Sequence, residues 1–322
     1  MSFLNELPKP FFVLAPMDDV TDTVFRRVIK STAAPDLFFT EFVNVDGLQS
    51  PGRPNLMKKI QLTDEEHPII AQLWGKNPDN FRKTAAELVE MGYDGIDLNM
   101  GCPAKPVVKD GCGSALINNR DLALEIIKAT REGAAGRIPV TVKTRLGWNQ
   151  VDLSWHELLL QQNLDMLTIH GRTKKEMSAV PAHWDIIGQI REMRDRIAPN
   201  TLLIGNGDVE NHEHGMKLAE ELNLDGIMIG RGIFKDPYAF AEISPWNGKT
   251  REERIRLFAQ HVKLFDETWQ NVTPGRVAAL NKFCKIYVSD FDGAKELREK
   301  LMNAKSAQEL MALLDAALLE NN

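Results

Sequence analysis

The stretch VTVKTRLGWNQVDLSWHELLLQQNLDMLTIHGRT (140–173) carries the pattern on which the whole chain is built. It opens with a short apolar run, VTVKTRLG (140–147). A helical segment over 152–162 follows, and then a second run, MLTIHGRT (166–173). A strand, a helix and a strand in that order form a βαβ unit with parallel strands. Both runs end in polar residues: Lys143 and Arg145 in the first, His170 and Arg172 in the second. Lys143 and Arg145 are two positions apart, so on a strand their side chains face the same way.

The same unit recurs on both sides. Upstream runs are FFVLAP (11–16), LFFTEF (37–42), PIIAQLWG (68–75) and GIDLNMG (95–101). Downstream are TLLIGNGDV (201–209) and GIMIGRGIF (226–234). Several are nearly continuous apolar runs, as parallel strands buried on both faces require. Helices fit between them at 119–132, 183–196 and 211–222. Another is capped by Asn77, has Pro78 at its first position and runs to Gly92. Segment 43–67 shows no clear period. Eight strands alternating with helices predict a (β/α)8 TIM barrel of the α/β class. A doubly wound sheet, with about five or six strands, fits less well. No repeat beyond the strand–helix alternation is visible.

The pattern changes after Pro245. Ile255, Phe258, Val262, Phe265 and Trp269 recur at helical spacing. NVTPGR (271–276) reads as a turn, and 277–288, 292–303 and 306–319 read as helices. The expected organisation is a barrel over 1–245 and a small all-helical C-terminal domain over 246–322.

The chain has 322 residues, 43% hydrophobic and 26% charged, which excludes a disordered or fibrous class. Cys102, Cys112 and Cys284 are too few for a disulfide framework and lack the paired spacing of a zinc site. A reducing, cytoplasmic setting is expected, with no structural metal. The N-terminus MSFLNELPKPFFVLAP lacks a basic leader and a long apolar run. No stretch reaches about 18 consecutive apolar residues, so no membrane span is expected. The net charge of −6 argues against a general nucleic-acid coat.

A barrel enzyme works at the C-terminal ends of its strands. Here those ends supply Pro16, Met17 and Asp18 from the first strand and Glu41 from the second. Gln72 comes from the third, and Asn99 and Cys102 from the fourth. Lys143, Arg145 and His170 follow, then Asn206, Gly207 and Asp208, and finally Gly230 and Arg231. A rim so rich in polar groups reads as an active site. GNGD (205–208) and GRG (230–232) stand where this fold commonly binds a phosphate. Glycine lets backbone N–H groups approach the anion. YAFAEI (238–243) is a candidate for an accompanying short helix. Lys143 is open to three readings: an anion or ring contact, a buried pair with Asp97 or Glu41, or a Schiff-base amine.

Taken together, these residues resemble the tRNA-dihydrouridine synthases, a family of FMN-dependent reductases. The matching blocks are APMDDVTD (15–22), TEFV (40–43), AQLWG (71–75), GIDLNMGCPAK (95–105), VTVKTRLGW (140–148), IHGRT (169–173), GNGDV (205–209) and MIGRGIF (228–234). They span nearly the whole barrel. The resemblance implies that Pro16, Met17, Asp18, Gln72, Lys143 and His170 contact the flavin. It implies that Asn206, Gly207, Asp208, Gly230 and Arg231 hold the FMN phosphate arm. Asn99, Arg145 and His170 would bind the target uracil, and Cys102 would donate a proton. NADPH is the implied reductant, with NADH an option, and tRNA the substrate of a monomeric enzyme. Lys105/Lys109, Arg172/Lys174/Lys175 and Arg276/Lys282/Lys285 are candidate RNA contacts.

Two stretches depart from the family pattern. Asp19 stands where glycine is usual, and KKEMSAVPAHW (174–184) replaces a glutamine, a tyrosine and a glycine with Glu176, Ser178 and Val180. The main alternative is an FMN barrel acting on a free pyrimidine, like a dihydroorotate dehydrogenase. It leaves the helical tail and Arg145 without a purpose. A Schiff-base aldolase predicts a colourless protein. A non-enzymatic RNA-binding factor predicts that Cys102 is dispensable.

Overall fold

The computed structural model describes residues 2–270 and 276–320. Most of the turn expected at 271–276 lies outside them. Eight strands form the sheet: β1 (Phe11–Leu14), β2 (Phe38–Asn44), β3 (Ile69–Trp74), β4 (Gly95–Met100), β5 (Val140–Arg145), β6 (Met166–His170), β7 (Leu202–Asn206) and β8 (Gly226–Ile229). Every neighbouring pair is parallel, in the order β1-β8-β7-β6-β5-β4-β3-β2. A parallel bridge between Val13 and Leu37 closes the ring, with the Leu14 N–H donating to Leu37 O at 3.2 Å. The fold is a (β/α)8 barrel followed by helices. Strands end earlier than the apolar runs suggest. β6 stops at His170 and β7 at Asn206, because the polar residues beyond leave the ladder for the rim.

The pleat sorts side chains to the two faces. Inside, Phe11, Val13, Leu37, Phe39, Ile70, Met166, Leu202, Ile204 and Met228 pack as one cluster, and Leu4 seals its floor. Outside, apolar residues meet the helices α1 (Thr23–Ala33), α2 (Pro78–Glu90), α3 (Arg120–Ala134), α4 (Leu153–Leu160), α5 (Trp184–Ile197) and α6 (His212–Leu222). Asn77 caps α2 as expected, accepting from the Asp79 amide at 3.0 Å. The obscure stretch 45–66 folds into short turns without a full helix, which explains its missing period.

A repeat that sequence inspection missed appears at the barrel floor. An aspartate stands directly before, or within two residues of, each even-numbered strand. Each accepts the backbone N–H of the preceding odd strand: Asp36 from Phe12 (2.7 Å), Asp94 from Ile69 (2.7 Å), Asp165 from Val140 (2.9 Å) and Asp225 from Leu203 (2.9 Å). These amides stand at the first or second position of their strands, where a carboxylate satisfies them.

The tail begins with a single turn at Trp246–Gly248 and continues as α7 (Arg251–Trp269), α8 (Asn281–Tyr287), α9 (Ala294–Asn303) and α10 (Ala307–Leu319). Thr250 and Glu253 form a capping box on α7. The tail packs on α1: Phe25 stacks on Phe283 with ring centroids 4.9 Å apart, and Gln260 donates to Ser31 at 3.2 Å. One apolar cluster runs from the barrel's outer layer into these helices. No helix among the described residues is long and apolar enough to cross a membrane.

Arg26 of α1 and Glu66 form a fully buried ion pair, with Nε to Oε1 at 2.6 Å. Arg26 also donates to Thr21 O and Gln61 O. Glu66 accepts from Thr23 Oγ1 and from the N–H and hydroxyl of Thr63. The pair ties the irregular 61–66 segment to α1. Removing one member leaves a buried charge uncompensated, at a cost of about 3–5 kcal/mol. Glu66→Ala is expected to lower the unfolding free energy by about that amount in urea denaturation.

Candidate active site

The carboxyl ends of the strands surround one large cavity of about 570 Å³. Nine of the residues singled out in the sequence line it: Pro16, Met17, Lys143, His170, Asn206, Gly207, Asp208, Gly230 and Arg231. They come from β1, β5, β6, β7 and β8, which no local pattern could have joined. Ala15, Val209, Glu210, Gly232 and Lys235 complete the wall and were not singled out.

The β7 and β8 ends form a cradle of free backbone amides. The amides of Gly207, Asp208, Gly230 and Arg231 have no hydrogen-bond partner among the described residues. Gly207 has φ 133° and Asp208 φ 56°, which turns the chain sharply after β7. A Cβ at Gly232 would come within 2.5 Å of Glu210 O, so only glycine fits there. Asp208 accepts from Arg231 at 3.1 Å and from the Ala182 amide at 3.0 Å, and it pairs with Arg172. Free amides beside arginine suit a phosphate. The short helix here is a single turn at Arg231–Phe234, not the expected 238–243, which forms turns.

Lys143 and His170 form the deeper wall. Lys143 Nζ donates to Asn206 Oδ1 at 3.2 Å, and Asn206 Nδ2 donates to Met228 O at 2.8 Å. Neither Asp97 nor Glu41 is the hydrogen-bonding partner of Lys143: Asp97 binds Thr141 and Gln72, and Glu41 binds Lys59. Burial, aided by the Arg145 charge, lowers the Lys143 pKa to about 8. Burial and the cations Lys143, Arg145, Arg172 and Arg231 hold His170 well below its usual value, so its ring is neutral at neutral pH. Its Nδ1 is buried without a partner. The His170 ring itself borders the cavity, where a bound ring with complementary polar atoms could meet it. The donor set therefore fits a phosphorylated, ring-bearing cofactor.

Gln72, Asn99, Cys102, Arg145 and Asp18 do not line this cavity. Gln72 is fully buried and Asn99 nearly so. Arg145 donates through Nε to Gly101 O (2.9 Å) and through Nη1 to Thr173 O (3.1 Å) and Met177 O (3.2 Å). It thus joins the loop bearing Cys102 to the loop after β6. Cys102 is half-buried, and its N–H donates to Asn99 Oδ1 at 2.9 Å. Its carbonyl accepts from the Ser114 amide at 3.0 Å. Burial raises the thiol pKa, which keeps the proton on sulfur. Asp18 pairs with Lys59, which stands among Asp18, Asp19 and Glu41 as a shared counter-ion. Arg172, expected at the RNA surface, is 2% exposed and committed to Asp208 and Val180 O. Lys105, Lys109, Lys175, Lys282 and Lys285 are exposed, whereas Lys174 lies over the Trp148 ring at 4.4 Å. Glu176 of the unusual loop accepts from the Thr173 amide and pairs with His183 at 3.0 Å.

The fold and this rim define a (β/α)8-barrel enzyme with a cradle of free amides at β7 and β8 and a protonated thiol beyond β4. The family model "Dihydrouridine synthase (Dus)" matches residues 13–322. A probable tRNA-dihydrouridine synthase of Staphylococcus aureus is 47% identical over 317 residues, covering 98% of this chain and 95% of that protein. Probable tRNA-dihydrouridine synthase 2 of Bacillus subtilis is 47% identical over 319 residues, covering 98% and 96%. A solved old yellow enzyme homologue from Zymomonas mobilis aligns at a TM-score of 0.48 and 13% identity, over 70% of this chain and 86% of that one. That likeness is too distant to add to the strand order seen directly. The chain belongs to the dihydrouridine synthase family of oxidoreductases.

Burial raises the Asp97 carboxyl from an ordinary 3.8 to about 7. The folded state therefore holds this proton more tightly than the unfolded chain. Its stabilising effect is complete below the unfolded pKa and is lost as pH rises through about 7. Asp97→Asn removes that dependence. Its stability relative to the native protein is expected to rise between pH 4 and pH 8, by on the order of 1–4 kcal/mol in urea denaturation.

Proposed function

We propose that this protein reduces the C5–C6 double bond of specific uridines in tRNA to 5,6-dihydrouridine, in the cytoplasm, with FMN as cofactor and NADPH as reductant. The observation that carries the reading is the joining, on one rim, of an anion cradle, a cationic and neutral-imidazole wall, and a protonated cysteine. The family membership and the named relatives support the tRNA substrate. When bound, FMN would supply hydride chemistry at C6 of the uracil, with the electrons coming from the nicotinamide.

The protein's own residues do the rest. The amides of Gly207, Asp208, Gly230 and Arg231, with the Arg231 guanidinium, hold the cofactor's phosphate. Pro16 and Met17 offer an apolar surface to its ring, and Asp18 borders the same loop. Lys143 and His170 would meet the ring's polar edge, and Gln72, expected at the ring, is bonded to Asp97 and Asn99. Lys143 is half-buried at the cavity wall with no ion-pair partner among the described residues, so it can offset negative charge that grows in the cavity. Asn99, Arg145 and His170 shape the uracil pocket. Cys102 holds at Sγ the proton that C5 of the uracil would take. A thiol with an ordinary pKa near ~8.5, raised further by burial, holds that proton at neutral pH. A uracil inside folded RNA cannot reach the thiol, so it must turn out of its stack. Residues 246–322 would serve as the tRNA-recognition domain beside the 1–245 barrel, and a monomer suffices for both. Lys282 and Lys285 of α8 lie exposed near the loop after β1, since Lys282 donates to Asp19 O.

The test is mass spectrometry of unmodified tRNA incubated with the protein, FMN and NADPH. A gain of two hydrogens at defined uridines is expected with the native chain. Cys102→Ala is expected to lower that rate by about 10²–10⁴-fold while the protein remains yellow. Reduction of free orotate with none of tRNA would instead select the free-pyrimidine reading.

A further inference from the structure

Four buried side chains form one hydrogen-bonded chain from the barrel interior to the backbone of Cys102. Thr141 Oγ1 donates to Asp97 Oδ1 at 2.5 Å. Gln72 Nε2 donates to Asp97 Oδ2 at 2.8 Å. Asn99 Nδ2 donates to Gln72 Oε1 at 2.9 Å. Asn99 Oδ1 accepts from the N–H of Cys102 at 2.9 Å and of Gly101 at 3.2 Å. Asp97 and Gln72 are fully buried, so no water can substitute for a wrong orientation.

The direction of such a chain matters as much as its length. A side-chain amide has a donor end and an acceptor end, and it can turn over. Asn99 must present oxygen to the Cys102 amide, because a nitrogen there would set donor against donor. That requires Gln72 to present oxygen to Asn99 and nitrogen to Asp97. An ionised carboxylate accepts on both oxygens and so holds this order from the inner end, and Asp97 is in that form above about pH 7.

We propose that Asp97 is a positioning residue for Cys102: as the acceptor-only end of the Asp97–Gln72–Asn99 chain, it sets the orientation of both amides and so pins the loop that carries the thiol. The inference rests on the proposed proton-donor role of Cys102. Its consequence is specific. Asp97→Asn keeps the shape but lets the chain run in either direction, and in the reversed state the Cys102 loop is released. Asp97→Asn with Gln72→Glu moves the acceptor-only group one link along. The carboxylate introduced at position 72 then accepts both from the amide introduced at position 97 and from Asn99, and Asn99 again presents oxygen to Cys102.

The test measures the rate at which iodoacetamide alkylates Cys102 at pH 8.5, mapped by peptide mass spectrometry. The buried Cys112 and Cys284 serve as internal references. Asp97→Asn is expected to raise the Cys102 rate at least about threefold, and the double variant to return it near the native rate. In tRNA reduction, Asp97→Asn is expected to lower kcat about tenfold while KM for tRNA stays within about twofold. A native alkylation rate in Asp97→Asn, or a double variant as reactive as the single one, overturns the proposal. A single variant that fails to fold beside a double variant that folds and reacts at the native rate supports it. If the native protein leaves tRNA unreduced, the functional reading fails, and the alkylation series still decides the role of Asp97.

Discussion

The closed ring of parallel backbone hydrogen bonds is the constraint on which everything else depends. A parallel strand cannot return through a tight turn, so each crosses over through a connecting segment. Seven such crossings bring all eight carboxyl ends to one rim. The closing contact between Leu14 and Leu37 makes that rim continuous. The cavity owes its composition to this geometry, since Pro16 and Arg231 are 215 positions apart and line one wall.

Within that ring the pleat divides labour by height. The lower interior is apolar, filled by Phe11, Phe39, Ile70, Met166 and Ile204. The next inward positions carry Gln72, Asp97, Thr141, Lys143 and Asn206, all hydrogen-bonded to one another or to backbone. Charged and amide groups survive there because each is satisfied, and their pKa values move because water is excluded. A lysine whose pKa falls to about 8 and a carboxyl whose pKa rises to about 7 are the result of one cause, burial.

Two arginines link the site's parts. Arg172 joins the turn after β7, through Asp208, to the loop after β6. Arg145 joins that same loop to the one bearing Cys102. Their strand-end positions were legible as polar, yet not their commitments. Arg172 looked like surface charge beside Lys174 and Lys175, and only burial reveals it as a strut. Asp97 likewise looked like a counter-ion for Lys143. The partners it has instead, Thr141 and Gln72, come from neighbouring strands whose register the sequence does not state. The four floor aspartates escaped notice because single residues separated by an entire βα unit show no local period.

The sequence by itself determined the barrel, the helical tail, the strand-end residues and the family. Apolar runs alternating with amphipathic helices are a property of chain order, and short motifs such as DLNMGCP (97–103) survive without three-dimensional context. The tertiary structure decided which of those residues share a cavity, which are committed to one another, and which protons are held. Those depend on distances across strands and on exclusion of water. Both arise only when the ring closes and places residues far apart in the chain within hydrogen-bonding reach.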